Sequence, residues 1–156
     1  MNINMPRNAV TTVLCLIALP VWASPSDVPT NHWAKPSVDR VTKEGLMSSD
    51  NGKFRGDKPV TRYELAVTLD KLVRYIEAGR APLHPTKRPG TVSVPAGASR
   101  SVKEAIRDLV GQSFLPADSP IVKGNGDAVV TADQLATALS QITIRLSDRS
   151  LAPEQD

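Results

Sequence analysis

Four consecutive residues, Thr61-Arg62-Tyr63-Glu64, have the types and spacing to hold an anion at the start of a helix. Thr61 and Glu64 stand three apart, as in a capping box. There the hydroxyl accepts from the N3 backbone N–H, and the carboxylate accepts from the N-cap N–H. Val60 before the cap and Leu65 one turn in fit a hydrophobic staple. Between the capping residues come a cation and an aromatic. An exposed arginine beside free helix N–H groups suits an anionic ligand. The plain alternative is that Arg62 and Tyr63 are ordinary surface residues of a first turn.

Other reactive side chains are few. His32 and His84 are the only histidines, and the single cysteine, Cys15, lies in an apolar run near the N terminus. No Ser/His/Asp set, metal-ligand spacing or phosphate loop appears. The stretch 48–57 has too few alternating acids for a calcium loop. The expectation is a protein without catalytic residues, metal site or cofactor.

Composition narrows the setting. The formal net charge of the 156 residues is +3, too small to argue for nucleic acid. Arg7, the apolar run from Ala9 to Val21, and Val21-Trp22-Ala23 ahead of Ser24 have the layout of a secretory signal peptide over residues 1–23. The competing reading is a retained membrane anchor, but the run falls short of the about 20 residues a span needs. Cleavage at Ala23 removes Cys15 and leaves no thiol or disulfide chemistry. No further apolar segment follows. The expected location is the cell envelope, either the periplasm or the wall and S-layer surface.

The elements that must position the candidate site read as helices. Asn31-His32-Trp33-Ala34 opens a first helix, with Pro36 in its first turn and Gly45 as its stop. Trp33, Val38, Val41 and Leu46 fall near one face. Asn51-Gly52 signals a tight turn, after which Phe54 is expected to point into the core. The helix after Thr61 carries Leu65, Leu69, Leu72 and Ile76 as a stripe, with Ala66 and Val73 beside it. Burying those four stripe side chains is worth about 6–12 kcal/mol before entropy. That helix therefore needs a partner, and the first helix is the nearest candidate. Residues 79–100 hold four prolines and several cations without an acid, and read as an extended linker.

After the linker the pattern returns. Ser101 and Glu104 have capping-box spacing, and Val102, Ala105, Ile106, Leu109 and Val110 form a stripe ended by Gly111. Gly124-Asn125-Gly126 reads as a turn. Thr131 and Gln134 repeat the capping box ahead of Leu135, Ala136, Leu139, Ile142 and Leu146. The two halves superpose: Val38 on Val102, then Thr61 on Thr131, Leu69 on Leu139 and Leu72 on Ile142, with six extra residues in the second loop. An internal duplication of a helix–loop–helix unit follows. The second copy keeps the apolar positions and loses the polar ones, since Ala132 replaces Arg62 and Gln134 replaces Glu64. The expected fold class is all-α: units at 24–78 and 101–147, a linker at 79–100 and a polar tail at 148–156.

The first copy resembles a family. Asp27-Val28-Pro29, His32-Trp33-Ala34, Gly45-Leu46, Asn51-Gly52-Lys53-Phe54-Arg55 and Val60-Thr61-Arg62-Tyr63-Glu64-Leu65-Ala66 look like one S-layer homology (SLH) domain over about 27–76. Thr-Arg-Tyr-Glu is similar to the family's Thr-Arg-Ala-Glu motif. The resemblance implies non-covalent binding to cell-wall polysaccharide or a peptidoglycan-linked glycan, often pyruvylated. By carry-over Arg62 faces the acidic sugar, and Glu64 holds the cap. Trp33 stacks on a sugar, unless it is a core residue, while Asp27 and Gly45 shape the pocket floor. Tyr63 and Lys58 complete the candidate set. One good repeat binds weakly without avidity. Self-association is therefore one expectation, and an envelope assembly role through a protein partner is the alternative function.

Overall fold

The computed structural model describes residues 24–78, 93, 94 and 96–151, the side chains of 150 and 151 excepted. The expected signal peptide, most of the linker (79–92 and 95) and the chain end at 152–156 lie outside the described residues. Four helices carry the fold: α1 (Lys35–Lys43), α2 (Arg62–Ala78), α3 (Arg100–Gly111) and α4 (Ala132–Leu151). The protein is all-α. Its β pairing among the described residues is two isolated bridges, Asp50 with Lys53 and Thr61 with Val129.

Capping chemistry fixes where the helices begin. Glu64 N–H donates to the Thr61 hydroxyl at 3.2 Å, and Thr61 N–H donates to the Glu64 carboxylate at 2.9 Å, so the expected box forms. The Thr131–Gln134 pair repeats it at 3.4 and 3.3 Å. The third box does not form. Ser99, extended at φ −62 and ψ 163, accepts from Val102 N–H and caps α3, so Ser101 falls inside the helix. The first helix also starts later than expected. Pro36 has no N–H and sits in the first turn, while Ala34 is the N-cap. Trp33 is left outside the helix and 87% exposed, so its place in the core is ruled out.

The helix exits are built alike in the two units. Gly45 (φ 70) follows α1 and Ser113 (φ 62) follows α3 in the left-handed region. Two residues on, Met47 N–H donates to Val41 O and Leu115 N–H donates to Leu109 O. Gly111 is therefore the last helical residue, and the left-handed position falls on Ser113. Aligned this way, Gly45 matches Ser113, which divides the six extra residues of the second unit. Four lengthen α3 by about one turn, and two lie in the loop.

Packing joins the units where the sequence suggested separation. The partner of α2 is α3, and no other helix pair makes more than a marginal contact. Leu65, Ala66, Leu69 and Val73 of α2 are buried against a core that includes Val102, Ile106, Leu109 and Val110 of α3. The nine residues of α1 bury only Val38, too little apolar surface to hold α2. Leu72 and Ile76 stay half-buried because the buried face is turned toward Ala66 and Val73. Phe114, Leu115, Ile121 and Val122 plug the core from the loop after α3.

On α4 the buried residues are Ala138 and Ile142, while Leu135, Ala136 and Leu139 of the expected stripe are exposed. Helix α4 also runs past 147 into the expected tail. Arg149 lies over the Phe114 ring at 4.2 Å, pairs with Glu77 at 2.8 Å and donates to Gln112 O at 2.6 Å. Those contacts tie the end of α4 to α2 and to the exit of α3.

One shared core predicts one unfolding event. Ile106→Ala, at a position with no exposure, is expected to cost about 2–5 kcal/mol. Circular-dichroism melts should show a single transition moving to lower temperature, whereas two separate transitions would contradict the shared core.

Candidate ligand site at the junction of the units

The start of α2 is where the two units meet. Arg62 N–H donates to Ala128 O and Tyr63 N–H donates to Gly126 O, each at 3.0 Å, and Val130 N–H returns a bond to Val60 O at 2.9 Å. With Glu64 N–H on the Thr61 hydroxyl, these first helix donors are occupied. The free N–H groups expected to meet an anion are therefore taken by carbonyls of the second unit, because the segment before α4 runs antiparallel to the segment before α2.

Arg62 itself is left without a counterion. It is half-buried, and its Nε is buried with no hydrogen-bond partner among the described residues. Its guanidinium crosses Gly124, where an added Cβ would lie 3.3 Å from Nη1. Tyr63 packs on Gly126 so closely that a Cβ there would sit 1.9 Å from the ring. The second unit thus supplies the wall against which the Arg62-Tyr63 pair rests. Sequence reasoning missed this role. The signal was the pair of glycines in Gly124-Asn125-Gly126, which also mark close backbone approach.

The remaining candidates divide into scaffold and surface. Asp27 accepts from Phe54 N–H and Arg55 N–H, both at 2.7 Å, and so holds Arg55 in its left-handed conformation at φ 52. Those two backbone donors keep its carboxyl below the ordinary range. Glu64 is likewise lowered, by Lys58 at 2.8 Å and by the Thr61 N–H. Gly45 ends α1 with open space where a side chain would be. Trp33 lies on the surface with its ring 5.7 Å from that of His32.

A groove of about 370 Å³ runs between the 46–60 loop, α2 and the start of α3. Of the expected residues it brings together Lys58, Tyr63 and Glu64, and it leaves Arg62, Trp33, Asp27 and Gly45 off its walls. Phe54, expected in the core, lines the groove instead, as do Arg55 and Lys71. Arg55 pairs with Asp50, and Lys58 with Glu64.

The profile of the S-layer homology domain matches residues 26–66. The chain carries an SLH domain. It contains the Asp27 clamp, α1, the Asn51-Gly52 turn and the capped start of α2. Outer membrane protein SlpA of Deinococcus radiodurans is 38% identical over 58 residues, covering 36% of this chain and 5% of that protein. SlpA of Thermus thermophilus is 40% identical over 53 residues, 33% of this chain and 6% of its own length. Outer membrane protein alpha of Thermotoga maritima is 25% identical over 118 residues, 75% of this chain and 26% of the relative, reaching well beyond the SLH domain. The chain thus spans a small part of these relatives. No solved structure matches it.

Two outcomes follow from the geometry. Gly126→Ala should destabilise the fold by about 1–3 kcal/mol through overpacking, and Tyr63→Ala should relieve most of that loss in a double-mutant cycle. Acid should act through Asp27 and Glu64. Both carboxyls are lowered in the folded state, so the stability they contribute is present above their ordinary values of 3.8 and 4.5 and is lost as pH falls through the lower folded values. Buried Asp70 is raised by desolvation and opposes this trend. Melting temperature is expected to fall below about pH 4, and less steeply in Asp27→Asn.

Proposed function

We propose that this chain is a non-catalytic cell-envelope module whose Arg62 binds an acidic group of a cell-wall glycan, pyruvylated polysaccharide being the best fit. One observation carries the reading: a half-buried guanidinium at the unit junction with no counterion and a buried Nε without an acceptor. A carboxylate offers an arginine paired, charge-assisted hydrogen bonds, which is the chemistry this group lacks. The SLH domain and the envelope relatives support the setting, in the periplasm or at the wall. Exposed Trp33 suits stacking on a sugar face. Lys58 and Tyr63 add donors on the groove side, while Asp27, Glu64 and Gly45 hold the loop and the helix start in shape.

The test is sedimentation with purified cell-wall sacculi. Arg62→Ala should lower retention by about tenfold or more, as expected for loss of a hydrogen bond to a charged group worth about 1.5–3 kcal/mol. Removal of pyruvyl groups from the sacculi should have a similar effect on the wild-type protein. Equal retention of wild type and a folded Arg62→Ala variant would sink the proposal. It would favour the second reading, an envelope assembly protein, which the exposed apolar residues of α4 support.

A further inference from the structure

The duplication lets each helix face be compared with its counterpart. On α2 the face turned to α3 is Leu65, Ala66, Leu69 and Val73, all buried. The same positions on α4 are Leu135, Ala136, Leu139 and Thr143, all exposed, with both leucines at 39%. Helix α4 is therefore buried on a different side, through Ala138 and Ile142, and the side that α2 gives to α3 stands open. It is an uncharged strip on a long, well-formed helix.

The complementary half of that contact is underfilled at the other end of the chain. On α3, Ala105, Ile106 and Val110 are buried. Their counterparts by the same superposition are Val41, Thr42 and Leu46 of the first unit, which remain half-buried. Helix α1 lacks an α2-like helix before it, and α4 lacks an α3-like helix after it. One chain thus shows the two halves of an interface that it also contains, closed, between α2 and α3.

We propose that α4 of one chain docks the α1 unit of a second copy, reproducing the internal α2–α3 contact between molecules. The interface is heterologous, with a different face on each side. Its strength can be ranked against the internal contact. Arg74 bridges Asp70 and Asp108 across α2 and α3. Ile144 stands where Arg74 does, and Glu44 where Asp108 does, so that cross-helix pair has no counterpart. The contact between copies is weaker than the internal one and depends on concentration. Several copies on one surface would each present an Arg62.

The experiment uses the chain from Ser24 onward in sedimentation equilibrium, from about 1 µM to about 1 mM, the range of weak specific contacts. Wild-type mass should rise above the monomer with concentration. Leu139→Glu and Leu135→Glu, both at exposed positions, should keep wild-type helicity and remain monomeric. Val41→Glu should also remain monomeric. An equimolar mixture of Leu139→Glu and Val41→Glu retains one intact pair of faces and should give a dimer that grows no further. A wild-type chain that stays monomeric throughout overturns the proposal. So does a Leu139→Glu chain that associates like wild type, or a mixture of folded variants that forms no dimer. Glycan retention of single chains is measured separately, so failure here leaves the Arg62 reading standing.

Discussion

Two backbone N–H groups at the head of α2 donate to carbonyls of the other unit, and most of the architecture depends on that arrangement. A helix start must satisfy its first donors from outside the helix. Here Thr61 supplies one acceptor, while Gly126 and Ala128 supply two more. The consequence is covalently cheap and structurally demanding. The second unit must bring an extended segment alongside Val60-Thr61, so α3 arrives against α2, and the two units share a core. The SLH domain of the first unit is therefore not a free-standing bead. Its longest helix begins under a bond network, and packs against a surface, that the other unit provides.

That dependence explains why a decayed copy persists. The second unit has lost the arginine and the glutamate of its own helix start, yet Gly124 and Gly126 form the wall for Arg62 and Tyr63. Its apolar residues fill the core with Phe114, Leu115, Ile121 and Val122. One copy offers the ligand chemistry, and the other holds that chemistry in place. The cation left without a counterion sits where the two roles meet.

Local chemistry was legible in the sequence wherever one or two neighbouring residues decide the outcome. The Thr61 and Thr131 boxes, the Asn51-Gly52 turn and the left-handed Gly45 are of this kind. The Ser101 box failed because Ser99 was an equally suitable cap two residues earlier. Long-range pairing was less legible. Apolar stripes state that α2 needs a partner without naming it, and the nearest helix in sequence was too poor in apolar side chains to serve. Arg149 was unreadable for another reason. An arginine near a chain end looks solvated until an aromatic face, a glutamate and a carbonyl converge on it. For the site, residue types identified Arg62 and Glu64 as special. They did not reveal that the helix donors beside them were already spoken for, or that Asp27 spends both oxygens on the backbone.

The extra turn of α3 bears on the groove. Four residues advance a helix by about 6 Å while changing the direction of its next side chain by only a fraction of a turn. In the second unit that advance delivers Phe114 and Leu115 into the core, where both are 1% exposed. In the first unit their counterparts, Leu46 and Met47, are half-buried and line the groove beside Tyr63. The same exit motif thus acts as a stopper on a long stem and as a rim on a short one. Helix length, adjusted by whole turns, decides whether a unit of this design is filled or hollow.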